Sequence, residues 1–250
     1  MKSGLLTFLF LLGSLSVLWA THNRAGEITW RYIGNNRIEM TIATYTKFCD
    51  DAVLADRDSL QVNWGDGTPL QWVRRVNGPA GPNGIPQGEL INTCFKVNYY
   101  IAEHTYPGTG HYRISMRDPN RESGICNVND PNSVSVPFFI QTTVTILNEV
   151  AGVQNAPVLQ NFPIVNACLG EVFKHNPIAF DPDGDSLAFR LIVPLESEND
   201  PVPLYEDPQT IEPGPDNILT IDEVTGDIVW DAPQKVCKYN IAILIIDYRN

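Results

Sequence analysis

The residues best placed to do chemistry are three aspartates grouped around one glycine. Asp181, Asp183 and Asp185 alternate through the segment Asp-Pro-Asp-Gly-Asp, with Gly184 between the last two. Carboxylate oxygens are ligands that Ca²⁺ prefers, and the ion takes about 6–8 of them. Three like charges this close also repel one another unless something neutralises them. The segment therefore predicts a calcium-binding loop.

The same segment has a simpler interpretation that needs no metal. Asp-Pro-Asp-Gly is strong turn chemistry, because an aspartate side chain accepts hydrogen bonds from the backbone two residues on. The loop also lacks the EF-hand spacing, since Ser186 stands where that motif has glycine and Ile192 where it has glutamate. The sequence leaves both the calcium loop and the metal-free Asx turn open.

The sequence has no arrangement typical of an enzyme. The four histidines, His22, His104, His111 and His175, are scattered, and none belongs to a His-Glu-x-x-His pattern. There is no Gly-x-Ser-x-Gly nucleophile elbow and no phosphate-binding glycine loop. A catalytic pair of carboxylates, as in a glycosidase, would have to lie about 5–10 Å apart in a cleft, whereas the acids here cluster in turns. We predict that the protein is not an enzyme.

The five cysteines indicate disulfides rather than a metal or redox site. No two of them have the Cys-x-x-Cys spacing that zinc and redox sites use. Cys168 and Cys237 are the only cysteines in the second half of the chain, so we predict that they pair. The arrangement of Cys49, Cys94 and Cys126 stays open, except that one of the three must be free or paired elsewhere.

The first 20 residues have the pattern of a secretory signal peptide. Lys2 is followed by an apolar run from Leu5 to Leu12, and the small residue Ala20 precedes a polar stretch. The apolar run is too short to cross roughly 30 Å of hydrocarbon as a helix, and no other segment is long enough. We therefore expect a secreted protein without an integral membrane segment, in a compartment that permits disulfides.

Charge is unevenly distributed along the chain. Residues 21–152 carry 13 acids and 11 bases, whereas residues 153–250 carry 16 acids and 5 bases, a net charge of −11. Such an acidic half argues against nucleic acid or anionic lipid as a partner, because both need a basic surface. A cation or a basic surface is a better match, and solubility alone also explains an acidic composition.

Short strands separated by turns predict an all-β protein. Aromatic and β-branched residues dominate runs such as Arg37–Tyr45, and the Gly- and Pro-rich stretch 77–87 must be a loop. We predict two tandem immunoglobulin-like antiparallel β-sandwiches, at 21–152 and 153–250. The chain stops directly after an apolar strand, where a sandwich would continue with a closing strand. We therefore expect the second sandwich to be truncated at the C-terminus and the chain to be the front of a longer protein.

Two motifs in the first sandwich resemble the PKD repeat, which is an immunoglobulin-like module. Residues 62–68 are Val-Asn-Trp-Gly-Asp-Gly-Thr, and residues 103–116 are Glu-His-Thr-Tyr-Pro-Gly-Thr-Gly-His-Tyr-Arg-Ile-Ser-Met. The family has a Gly-Asp-Gly-Thr turn and a later strand entry that begins His-Thr-Tyr. The resemblance implies that His104 serves packing or a turn hydrogen bond rather than catalysis. Asp66 lies in the turn itself, where its side chain can hydrogen-bond to the turn backbone, so we expect a structural role for it.

Three blocks in the second sandwich resemble cadherin-like and dystroglycan-type modules of bacterial surface proteins. They are Ala-Phe-Asp-Pro-Asp-Gly-Asp at 179–185, Ile-Asp-Glu-Val-Thr-Gly-Asp-Ile-Val-Trp at 221–230, and a last strand that ends at Asp247. The resemblance implies that Asp222 and Asp247 come near the 181–185 loop. The predicted calcium site then comprises five residues, namely Asp181, Asp183, Asp185, Asp222 and Asp247.

The order of the modules and the stretch Thr-His-Asn-Arg-Ala-Gly-Glu-Ile-Thr-Trp at 21–30 resemble the front of gliding-motility-associated surface proteins. The resemblance implies a secreted or cell-surface structural or adhesion protein, whose modules are spacers and interaction domains for protein or glycan partners. The alternative is a carbohydrate-binding module of a larger polysaccharide-degrading enzyme, which would need exposed rings. The candidates are Trp30, Tyr32, Trp72, Tyr99, Tyr100 and Trp230. In β-sandwiches such residues more often belong to the core or to cross-strand pairs.

Overall fold

The computed structural model of the protein describes residues 23–49, 57–148 and 154–249. The predicted signal peptide at 1–20 and the predicted boundary between 152 and 153 lie outside these ranges. The described residues form seventeen β-strands and two short 3-10 turns, at Ser133–Ser135 and Pro208–Thr210. The all-β prediction is therefore confirmed. None of these residues lies in a helix that is long and apolar enough to cross a membrane.

The first eight strands form a sandwich of two antiparallel sheets. They are β1 (Asn23–Gly34), β2 (Arg37–Lys47), β3 (Ser59–Asn63), β4 (Gln71–Arg74), β5 (Glu89–Leu90), β6 (Phe95–Thr105), β7 (Gly110–Asp118) and β8 (Phe138–Ile146). One sheet has the order β1-β2-β6-β5 and the other the order β4-β3-β7-β8. This is the immunoglobulin arrangement, in which an ABED sheet packs on a C′CFG sheet.

Alternation of side chains along the strands decides which residues form the core of this sandwich. Ile38, Met40 and Ile42 on β2 are fully buried, while the residues between them are partly exposed. They pack against buried apolar residues of the facing sheet, such as Val62 and Ile114, because successive strand residues point to opposite faces. The core is continuous from the first sheet to the second.

The Trp-Gly-Asp-Gly-Thr turn is held by hydrogen bonds from both of its sides. Asp66 Oδ1 accepts hydrogen bonds from the Thr68 backbone N–H at 3.1 Å and its hydroxyl at 2.6 Å. Asp66 Oδ2 lies 2.7 Å from His104 Nε2, and the His104 ring stacks on Trp64 with 4.5 Å between centroids. Gly65 has a φ of +77°, and a Cβ there would lie 2.4 Å from the Arg113 carbonyl oxygen. His104 therefore has the structural role predicted for it.

The remaining strands form a second, smaller sandwich. They are β9 (Val158–Leu159), β10 (Phe173–His175), β11 (Ala179–Phe180), β12 (Ser186–Ile192), β13 (Leu195–Ser197), β14 (Asp200–Pro201), β15 (Ile218–Ile221), β16 (Ile228–Asp231) and β17 (Ala242–Tyr248). One sheet has the order β10-β16-β15, and the other strands pair as β12-β17, β9-β11 and β13-β14. Phe189, Ile228 and Trp230 are its large buried residues.

The disulfide pairing differs from the prediction. Cys237 is bonded to Cys126, with 6.2 Å between their Cα atoms, and Cys49 is bonded to Cys94. Cys168 is free and exposed. The predicted Cys168–Cys237 bond is therefore wrong. Counting cysteines within each half failed because one of the two bonds crosses from the first sandwich to the second.

The loop that follows β7 makes this crossing bond possible. The Cys126 backbone N–H donates to the Lys238 carbonyl oxygen at 3.0 Å, and the Asn240 N–H donates to Asn127 Oδ1 at 2.9 Å. Val128 of the same loop is fully buried and packs in a cluster with Val202 of the second sandwich. The loop is thus a structural part of the joint between the two sandwiches.

Charged side chains complete the joint. Glu122, whose side chain is 6% exposed, pairs with Arg24 of β1 and with Lys238, the latter at 2.5 Å. Arg121 donates hydrogen bonds to the Leu195 carbonyl oxygen and to Asn240 Oδ1, both at 2.6 Å. Burial lowers the pKa of Arg121 to about 10, which leaves it charged at neutral pH. Buried charges of this kind need their partners, so separating the sandwiches would be costly.

We expect replacement of Asp66 by Ala to lower the free energy of unfolding by about 2 kcal/mol, because hydrogen bonds to a charged group are lost. Burial by itself would raise the pKa of Asp66, but hydrogen bonds from Thr68 and His104 outweigh it and hold the pKa below its ordinary value of 3.8. The contribution of Asp66 is therefore present above that pH and is lost as the pH falls through its lowered pKa. Urea unfolding at pH 7 and at pH 2.5 checks both points. The exposed Asp58→Ala variant is the control, and equal effects of the two substitutions would contradict the role of Asp66.

We expect the Cys126→Ser/Cys237→Ser double variant to lose about 4 kcal/mol of stability, because the bond closes a loop with a sequence separation of 111. Cys168→Ser should change stability by less than about 0.5 kcal/mol. Peptide mass mapping without reduction should show the Cys126–Cys237 peptide and alkylation of Cys168 alone. A Cys168–Cys237 peptide would contradict the pairing.

Candidate metal centre at Asp181, Asp185 and Asp247

Three aspartates from two separate segments meet in the second sandwich. Asp181 and Asp185 lie in the loop between β11 and β12, and Asp247 lies near the end of β17. One carboxylate oxygen from each residue lies within 4.8 Å of the other two. Strand pairing causes this meeting, because Leu187 at the start of β12 is the register partner of Asp247.

The loop itself is a turn closed by its first aspartate. Asp181 Oδ1 accepts hydrogen bonds from the backbone N–H groups of Asp183 at 2.7 Å and Asp185 at 3.3 Å. Gly184 has a φ of +85°, which favours glycine, and its N–H donates to the Asp181 carbonyl oxygen at 3.2 Å. The Asx turn predicted as the simpler alternative is therefore present, and it uses only one of the two side-chain oxygens of Asp181.

The other side-chain oxygen of Asp181 is buried without a partner. Asp181 Oδ2 makes no hydrogen bond to any described residue. Burial raises the pKa of Asp181; the two backbone N–H groups oppose that rise, while the charges of Asp183 and Asp185 add to it. A buried polar atom without a hydrogen bond is unusual and costly. A cation next to Asp181 Oδ2 would give that oxygen a partner and would offset the repulsion between the neighbouring carboxylates.

Two residues of the linker that precedes β9, Gln154 and Asn155, hydrogen-bond to acids at the site. Gln154 Nε2 donates a hydrogen bond to Asp247 Oδ2. Asn155 donates to both oxygens of Asp183, from its backbone N–H at 2.6 Å and its side-chain amide at 2.8 Å. The Asp183 carboxylate is thereby engaged by the linker. Nothing in the sequence pattern had singled out Gln154 or Asn155, because their role appears only once the linker is seen to lie beside the loop.

The same linker is attached to the first sandwich. Asn155 Oδ1 accepts a hydrogen bond from the Tyr32 backbone N–H at 2.9 Å, and the Ala156 N–H donates to the Trp30 carbonyl oxygen at 2.9 Å. Both contacts lie on β1. Asn155 therefore connects the edge of the first sandwich directly to the acidic loop of the second.

Asp222 lies apart from the cluster. Its Oδ1 accepts hydrogen bonds from the backbone N–H groups of Val224 at 2.8 Å and Thr225 at 2.7 Å, in the turn between β15 and β16. Those hydrogen bonds lower the pKa of Asp222 below its ordinary value. Asp222 is thus engaged as a turn residue, and three of the five predicted ligands, Asp181, Asp185 and Asp247, come together.

The donor set fits calcium better than a softer metal. Three carboxylates offer oxygen ligands only, which suit Ca²⁺ or Mg²⁺ rather than zinc, and Ca²⁺ tolerates irregular geometry better than Mg²⁺. Asp181 Oδ2, Asp185 and Asp247 would hold the ion, and water or backbone carbonyl groups would complete its shell. Within the described ranges no other group of three or more acids, histidines or cysteines is close enough to hold a metal.

The three histidines that the structure describes have different surroundings. His104 pairs with Asp66, and His111 Nδ1 lies 3.0 Å from the Thr145 hydroxyl on the surface. His175 lies in β10, where burial lowers its pKa. His22 lies outside the described residues.

The six aromatic candidates for a sugar-binding face are distributed between core and surface. Trp30, Tyr100 and Trp230 are buried, and Tyr32 and Tyr99 are partly buried. Trp72 is the exception, with 63% of its surface exposed on β4. These residues therefore serve mainly as core and do not form a common exposed face.

Comparison with known proteins gives no significant match, whether to a protein-family model, to a curated protein or to a solved structure. The PKD-like and cadherin-like resemblances therefore stay at the level of the motifs that suggest them. The calcium hypothesis therefore depends on the arrangement of Asp181, Asp185 and Asp247 and not on a related protein.

We expect millimolar Ca²⁺ to raise the melting temperature of the protein, because an ion that binds only the folded state stabilises it by mass action. The Asp181→Asn/Asp247→Asn double variant should lose this rise while keeping the turn, since the side-chain amide introduced at position 181 retains an acceptor oxygen. Asp222→Asn is the matched control and should keep the full rise. Calorimetric titration measures the binding directly; the absence of both heat and a melting shift in the wild-type protein would refute the calcium site.

Proposed function

We propose that this chain is a secreted or cell-surface structural protein of adhesive type, whose two sandwiches act as one stiff spacer. Calcium at Asp181, Asp185 and Asp247 would stabilise the region where the sandwiches join. The observation that carries the proposal is the position of the acidic loop, which Asn155 connects to the edge strand β1.

The joint supports this proposal because it resists bending in several independent ways. A disulfide joins Cys126 to Cys237, and Glu122 pairs with cations from both sandwiches. Adjacent domains of one chain usually move relative to each other unless the interface is large or strongly held. A joint with a covalent bond, two ion pairs to the buried Glu122 and an apolar cluster favours a spacer rather than a flexible tether.

The two disulfides support the proposed location. Disulfides form and persist in secreted proteins and are rare in the cytosol. A small second core also gains most from such a bond, because little apolar surface is available to stabilise it. Export by way of the predicted signal peptide is therefore part of the proposal.

The carbohydrate-binding alternative has one observation in its favour. Trp72 is largely exposed, and its cross-strand partner Gln61 is exposed beside it. An indole next to an amide is a combination that can stack on a sugar and hydrogen-bond to it. One ring is a small platform, so the structural function is the better supported of the two.

Detection on intact cells of the source organism tests the proposed function. We expect antibodies against residues 23–249 to label unpermeabilised cells, and external protease to remove the label. Deletion of the gene should reduce adhesion to surfaces, and the wild-type gene should restore it. Restoration by a Trp72→Ala gene distinguishes the two candidates, because only the glycan-binding function needs that ring. A protein confined to the cytoplasm would refute the proposal.

A further inference from the structure

The outer face of the first sheet carries a carboxylic acid in an apolar setting. Glu27 lies on β1, and its register partner on β2 is Ala43, whose partner on β6 is Tyr99. Tyr45 stands one step further along the same face of β2, and its hydroxyl donates a hydrogen bond to Glu27 Oε1 at 3.2 Å. The acid therefore sits among small and aromatic side chains.

The second carboxylate oxygen of Glu27 is buried and has no hydrogen-bond partner among the described residues. An ionised carboxylate in that position would lack both water and a counter-charge, whereas a neutral carboxylic acid would not be penalised in the same way. The geometry alone therefore favours the protonated form of Glu27 in the folded protein.

Part of the segment between β9 and β10 covers this face. Ile164 packs against the cluster formed by Ala43, Tyr45 and Val97. Phe162 meets Tyr45 edge to face, with 6.0 Å between the ring centroids, although 45% of the Phe162 surface is still exposed. The cover is thus in contact with Tyr45, the residue that hydrogen-bonds Glu27.

Of the described residues at this contact, Glu27 is the one whose charge changes near neutral pH. Tyr45 comes from β2, Tyr99 from β6, and the exposed Glu89 of β5 lies beyond Tyr99. Both tyrosines have their pKa raised by burial and by the charge of Glu27, so they stay neutral. Residues 161–165, Asn-Phe-Pro-Ile-Val, bring no ionisable side chain.

We propose that Glu27 and the Phe162–Ile164 segment form a pH-sensitive latch between the two sandwiches. The segment lies on the sheet while Glu27 is protonated, and ionisation of Glu27 lifts it so that water can reach the carboxylate. The latch is independent of calcium and of the proposed function. The Cys126–Cys237 bond keeps the sandwiches together in both states, so the opening is local.

The direction of the pH effect follows from the burial of the acid. Burial raises the pKa of Glu27 from 4.5 to about 7, against the opposing hydrogen bond from Tyr45. The folded protein therefore binds more protons than the unfolded chain between these two values, and stability falls as the pH rises through that window. Closure of the latch is complete below the window and is lost as the pH rises past about 7.

Nuclear magnetic resonance on the full chain tests the latch. With carbon-13 in the glutamate carboxyl groups, one resonance, assigned by its loss in Glu27→Gln, should titrate with a midpoint near 7. The Phe162–Tyr45 cross-relaxation signal should disappear with the same midpoint. In Glu27→Gln that signal should persist over the whole range from about pH 5 to about pH 9.

Two further variants separate a latch from a merely buried acid. Ile164→Ala loosens the cover, so it should lower the Glu27 midpoint by at least about one pH unit towards its ordinary value. Glu89→Gln removes an exposed acid from the same sheet and should leave both midpoints in place. The latch is refuted if the Phe162–Tyr45 contact survives ionisation of Glu27, or if Ile164→Ala leaves the midpoint unchanged.

Discussion

The disulfide between Cys126 and Cys237 anchors the second sandwich to the first, and the folding of the second sandwich relies on that anchor. The second sandwich buries few large side chains, and its sheets are narrow. It has limited apolar area with which to offset the entropy of ordering the chain. A covalent bond to a larger sandwich, with Glu122 and Arg121 paired in the joint, supplies what its own core lacks.

The two side-chain oxygens of Asp181 explain how one loop can close a turn and still offer a ligand to the proposed cation. One oxygen of Asp181 closes the turn and the other stays buried without a partner among the described residues. The turn shapes the loop before any ion arrives, so a cation would meet preorganised ligands. Asn155 ties this loop to the first sandwich, so an ion bound at Asp181 would act on the joint and on the second sandwich together.

Local patterns predicted some residues well and others poorly, for a physical reason. The turn role of Asp66 was foreseeable, because its hydrogen-bond partner Thr68 lies two residues away. Asp222 was expected among the calcium ligands, yet it closes a turn of its own with Val224 and Thr225. Both positions are aspartates in glycine-containing turns, and sequence spacing does not distinguish a carboxylate that closes its turn from one that projects toward a distant loop.

The all-β class, the strand alternation that buries Ile38, Met40 and Ile42, and the turn chemistry at residues 65–68 and 181–185 follow from the order of the amino acids. These features depend on neighbours a few positions away, where backbone geometry dictates contact. The partner of Cys237, the approach of Asp247 to Asp181 and the burial of Glu27 became evident from the three-dimensional fold alone. Each of those depends on which two surfaces come together from distant parts of the chain, and that outcome follows from the packing of whole sheets rather than from any local pattern.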